Sequence, residues 1–234
     1  MLISSDVELR SLHCEEADYA TFEPNEGFDS FPSLVDLALH GGTLTALVEA
    51  HFLTSAVLPS LRLFYASEVR LDGGLSLTHP SPLYAAPLHH LSLDNADQEI
   101  VPLLRSTRRL RSLDLGYSDP LEFPPNFRFA TPLIAIRMWA CYDRDSVNFT
   151  IGDLETMLAV GLFDSRTVVF LPLMEESDAA GVDLKEWGRS HGMRLEWDDG
   201  ELGGGWSEVD SGYPVHREFA RWVDGIAEER MIGQ

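Results

Sequence analysis

LHHLSLDNADQEIVPLLRSTRRLRSLDL, residues 88–115, states one short phrase twice: Leu88, Leu91 and Leu93, then Leu110, Leu113 and Leu115. The two copies of L-x-x-L-x-L lie 22 residues apart with a short apolar, helix-like stretch between them. That spacing is too long for a hairpin, whose strands are joined by a few residues, and it marks a repeat.

Working outward, the same phrase anchors at Leu9 (with Leu12 and Cys14), Leu34 (Leu37, Leu39) and Leu61 (Phe64, Ala66), then at Leu88, Leu110 and Leu133 (Ile136, Met138). The steps are 25, 27, 27, 22 and 23 residues. Two weaker copies follow, Val168 with Leu171 and Leu173, then Gly192 with Leu195 and Trp197, at steps of 35 and 24. The long step places an insertion of roughly ten residues after the Leu133 copy. Alternate strand residues face opposite sides, so the second and third apolar positions of each copy point inward together. One copy cannot bury that face alone, and stacked copies make a parallel sheet over a continuous core. Helical returns are expected at 44–53, 97–106, 150–160 and 181–192, the third capped by Thr150 with Asp153 at the reciprocal position of a capping box.

The chain resembles the leucine-rich repeat family, in the irregular, ribonuclease-inhibitor-like form also found in the C-terminal repeat half of fungal F-box proteins. The likeness covers about residues 5–200 and rests on the phrases above and on the starts FPSLVDLAL and LPSLRLF. The family's ninth position, usually Asn or Cys, holds Ala17, Gly42, Val69, Ala96, Ser118 and Cys141, so its asparagine ladder is absent and other groups must satisfy those loop amides. The resemblance implies an α/β solenoid, a horseshoe with the parallel sheet on its concave face and helices on its convex face. It divides the chain into about eight repeats over residues 1–200, then a loop and a C-terminal capping helix over 201–234. Phe219, Trp222, Val223 and Ile226 are the expected apolar stripe of that helix. The resemblance also implies a partner protein on the concave face, with substrate recognition for a ubiquitin ligase as its setting; the alternative is a scaffold or truncated repeat domain without a dedicated ligand. Docking on the ligase adaptor would then need an F-box helix bundle that no segment before the first repeat supplies. The first phrase begins by Leu9, so the first strand is expected to be exposed or covered by another domain or chain, or the chain to be part of something longer.

Composition narrows the partners. Seventeen Lys and Arg against 38 Asp and Glu give a net charge of −21, which repels a phosphate backbone, so no nucleic acid is expected. Apolar runs break within about ten residues where a membrane span needs about 20, and no membrane is expected either. Two cysteines and no signal-peptide pattern point to a reducing compartment, cytoplasmic or nuclear.

Chemistry is not indicated. There is no G-x-S-x-G, Walker A, H-E-x-x-H or C-x-x-C motif, so neither an enzyme nor a cofactor is expected. His89 and His90 are the one tempting metal pair, but neighbours on a strand point to opposite sides, so no metal site is expected there. Cys14 and Cys141 read as packing groups. Arg105, Arg108, Arg109 and Arg111 form a basic cluster at a helix end, where positive charge suits the helix dipole.

What remains is the concave face. Its outward positions include Tyr65, His90, Asp114, Arg137, Trp139, Phe170 and Met174, large or charged groups that core packing does not require. Aromatic residues, Met and Arg are enriched at interfaces. Tyr65, His90, Asp114, Arg137, Trp139 and Phe170 are therefore the candidate partner-binding residues, with Arg137 and Trp139 central and Asp94, Asp114, Glu196 and Asp198 as a polar rim. The alternative is that the insertion at 142–150 folds over Trp139 and Phe170 and buries them.

Overall fold

The computed structural model describes residues 9–15, 32–43, 58–70, 86–96, 100–117, 122–129, 131–140, 150–171, 179–197 and 213–232. Eight strands form one all-parallel sheet in chain order: β1 (Ser11–Glu15), β2 (Asp36–Thr43), β3 (Leu63–Arg70), β4 (His90–Ala96), β5 (Ser112–Tyr117), β6 (Ala135–Ala140), β7 (Val168–Leu171) and β8 (Arg194–Trp197). Among the described residues four helices accompany them: α1 (Ile100–Ser106), α2 (Ile151–Ala159), α3 (Ala179–Ser190) and α4 (Tyr213–Ile232). The expected helix at 44–53 lies outside the described residues. None of the helices described is long and apolar enough to cross a membrane.

The register follows the repeated phrase. Leu12, Leu37, Phe64, Leu91, Leu113, Ile136, Val169 and Leu195 stand side by side across the sheet. From Leu37 to Val169 this row is buried, and it shares one core with Leu103 and Leu104 of α1, Leu154 and Met157 of α2, and Leu184 and Trp187 of α3. Each large apolar side chain buried this way contributes about 1.5–3 kcal/mol. Leu12 and Leu195, on the end strands, are only half-buried because each has a neighbouring strand on one side.

One register differs from the expectation. Ile136 pairs with Val169, not with Leu171, so the β7 phrase starts at Arg166 and the step into it is 33 residues. A slip of two residues keeps every side chain on its face, so Phe170 still points outward from the core.

The helix ends have local causes. Thr150 Oγ1 accepts from the Asp153 amide, and the Thr150 amide donates to Asp153 Oδ2 at 2.8 Å, the expected capping box. α2 closes at Gly161 (φ 75°), with Leu162 N–H on the Met157 carbonyl and Gly161 N–H on that of Leu158. Gly192 (φ 64°) closes α3 with the same pair of bonds, from Met193 to Gly188 and from Gly192 to Arg189.

α4, the helix expected as a cap, packs on a face of the sheet. It lies across the sheet on the face opposite α1–α3, reaching from Arg217, 3.3 Å from Asp36 of β2, to Arg230, which donates to the Arg166 carbonyl just before β7. A 20-residue helix is about 30 Å long, and β2 to β7 spans five strand spacings of roughly 4.8 Å, so one helix is long enough to cover them. Its buried residues are His216, Phe219, Ala220, Val223 and Ala227, at helical spacing, while Trp222 and Ile226 of the expected stripe are half-buried.

Candidate functional site

The site is the interface between α4 and the sheet. Pairing places His13, Ala38, Tyr65, Ser92, Asp114, Arg137, Phe170 and Glu196 in a single row across all eight strands. From Ala38 to Phe170 that row is buried beneath α4, and His13 at one end stays exposed.

His216, Phe219, Ala220 and Val223 meet residues of this face. The His216 ring stacks on Tyr65, centroids 4.4 Å apart, and its Nδ1 is hydrogen-bonded to Ser92 Oγ at 2.7 Å and to Asp114 Oδ2. Arg137 donates to Asp114 twice, from Nε to Oδ1 at 3.0 Å and from Nη2 to Oδ2 at 2.6 Å, and its guanidinium lies 4.7 Å from the centre of the Phe219 ring. Phe170 meets Phe219 and Trp222 edge to face at 5.9 and 5.3 Å. Ala135, Val168, Phe170, Phe219 and Val223 make a second apolar cluster.

Arg137 is 1% exposed and Asp114 2%, so the pair sits where water cannot screen it. Burial alone raises the Asp114 carboxyl, but the charges and hydrogen bonds of Arg137 and His216 outweigh it and hold the group well below the usual carboxylate range. Burial raises the Asp36 carboxyl beside the same N-terminal end of α4, against the pull of Arg217, Arg221 and His90.

A second polar cluster lies where α4 crosses the start of β4. His90 Nδ1 is hydrogen-bonded to Ser112 Oγ at 2.8 Å, and its Nε2 faces Asp224 Oδ2 at 3.2 Å. Arg111 Nη1 donates to Asp224 Oδ1 at 2.6 Å. Burial works to raise the Asp224 carboxyl, but His90 and Arg111 outweigh it and bring it down to about 2. His89 stands in a bend just before β4, so the strand rule that would send neighbouring rings to opposite sides does not apply, and the two imidazole centroids are 6.2 Å apart. That corrects the geometric reason for discounting this pair.

The residue just before each strand forms its own ladder. His89 N–H donates to the Arg62 carbonyl, and Arg111 N–H to that of His89. Partial burial and the charges of Arg111, His90 and Arg62 push the His89 imidazole down to about 4, with Asp224 pulling weakly the other way. His89, Arg10, Arg62 and Arg109 also line an open groove of about 630 Å³. Arg105 and Arg108, from the basic cluster read in the sequence, are exposed.

Five of the six candidate residues, Tyr65, His90, Asp114, Arg137 and Phe170, are thus gathered on one face and buried by the chain's own C-terminal helix. Asp114 sits at the centre of the contact, not on a rim. Trp139 is described only as a strand position beside Gly116, and its side chain lies outside the described residues, as do Asp94's side chain, Met174, Asp198 and Cys141. The insertion from 142 to 149 lies outside them too. Sequence reasoning missed His216 and Asp224, whose side-chain partners on the sheet lie 79 residues or more from them in sequence; His216, at helical spacing from Phe219 and Val223, was the signal available.

Comparison with family models, with curated proteins and with solved structures gives no match.

Proposed function

We propose that this chain is a protein-interaction module without chemistry of its own, a leucine-rich-repeat solenoid whose sheet face binds an amphipathic helix. In the closed state that helix is its own α4; a partner segment of like pattern takes its place when the module is engaged. The observation that carries the reading is the row from Ala38 to Phe170, where residues chosen from the sequence as an interface make an interface with a helix. Tyr, Phe and Arg in a desolvated centre are the composition of an energetic hot spot. Helix-in-groove recognition reads anchors at i, i+3, i+4 and i+7, which is the spacing of His216, Phe219, Ala220 and Val223. The repeated leucine phrase and the all-parallel sheet in chain order support the solenoid.

A protease site engineered between residues 200 and 211 tests this. After cleavage, the released α4 peptide should dissociate on dilution and rebind saturably, and Tyr65→Ala or Arg137→Ala should weaken rebinding by about 2 kcal/mol or more. Unfolding of the remaining chain when the peptide leaves would make α4 a fixed part of the core and remove the reading.

A further inference from the structure

We propose that His89, His90 and Asp224 form a site for a divalent transition-metal ion of the zinc class, which would pin α4 to the start of β4. One donor atom from each residue lies within 4.8 Å of the other two. The His90 Nε2 to Asp224 Oδ2 separation is 3.2 Å, against about 3.3 Å between ligand atoms of a tetrahedral ion with bonds of about 2.0–2.1 Å. His89 therefore has the larger adjustment to make, and it is the half-buried member, in a bend instead of a strand.

The supporting shell is in place. His90 Nδ1 is held by Ser112 Oγ, which fixes the ring so that Nε2 faces the site, the arrangement usual for a metal-bound histidine. Arg111 occupies Asp224 Oδ1 and leaves Oδ2 for the ion. His89, one of the three donors, also lines the open groove, so this member of the set is reached from solvent. Two imidazoles and one carboxylate suit zinc, copper, nickel or cobalt better than magnesium or calcium, which prefer oxygen throughout. The chain's net charge of −21 concentrates cations around it and offsets the local repulsion of Arg62 and Arg111.

The site does not depend on α4 leaving the sheet, so its test is separate from that of partner binding. Zn²⁺ titrated calorimetrically into the metal-free full-length chain at pH 7 should show one saturable equivalent. His89→Ala and Asp224→Asn should each weaken it at least about tenfold while circular dichroism stays unchanged. If either variant fails to fold, imidazole nitrogen spectra of the native chain decide: Zn²⁺ should shift the His89 and His90 signals. No saturable binding, unchanged affinity in both variants, or shifts confined to other histidines would each overturn the site.

Discussion

Asp114 and Arg137, 23 residues apart in sequence, are next-strand neighbours that close a two-pronged ion pair beneath α4. Desolvating two charges is costly, and here the cost is offset because Asp114 is also hydrogen-bonded to Ser92 and His216. Removing one member leaves a buried charge without its counterion. Arg137→Met should therefore destabilise the fold by about 3–5 kcal/mol in urea titration, and Asp114→Leu combined with Arg137→Met should cost clearly less than the two single changes summed.

His216 joins the helix to that pair. His216→Ala removes the stack on Tyr65, worth roughly 0.5–1.5 kcal/mol, and the hydrogen bond to the charged Asp114, worth roughly 1.5–3 kcal/mol. With partial compensation by water, about 2 kcal/mol should be lost. If α4 opens separately from the sheet, its amides alone should exchange hydrogen about 30-fold faster in this variant. Equal acceleration of α4 and of β4–β6 would show that the helix opens only with the whole fold.

Stability in metal-free buffer should fall in two steps on acidification. The folded His89 value of about 4 is below the ordinary 6.5, so the unfolded chain binds more protons between them, and stability is lost as pH drops through that window. Asp224, at about 2 folded against an ordinary 3.8, keeps its contribution above 3.8 and loses it as pH falls from there towards 2. The His89→Gln variant should flatten the first step and leave the second. Urea midpoints of the native chain and the variant, taken between pH 7.5 and 2, would show which step is lost.

The strands and their faces were legible because each copy of the leucine phrase carries its own register, and even the two-residue slip at β7 kept Phe170 on the right side. Thr150 and Asp153 declared the start of α2 because a capping box is local chemistry. The docking of α4 was not legible. Its apolar stripe says that a face is buried and nothing of what buries it, and the contacts that decide the matter, His216 to Asp114 and Asp224 to Arg111, span 102 and 113 residues. His89 misled for a different reason: strand alternation holds within a strand, and the bend one residue before β4 escapes it.

The same substitution should change sign with backbone position. Gly161 and Gly192 have positive φ, and a Cβ at Gly161 would meet nothing closer than the Phe129 carbonyl oxygen at 3.8 Å, while one at Gly192 would meet nothing within 4 Å. Space is not the obstacle, so Gly161→Ala or Gly192→Ala should cost the left-handed penalty alone, about 1–2 kcal/mol. Gly152 sits in the first turn of α2 with ordinary helical φ, and its added Cβ would rest 3.5 Å from Thr150 Oγ1, a normal contact. Gly152→Ala should therefore stabilise by about 0.5–1 kcal/mol, since alanine loses less backbone freedom on folding. Thermal melts of the three variants should place two below the native chain and one above. A fall at Gly152 would mean that the Thr150 cap cannot tolerate the contact.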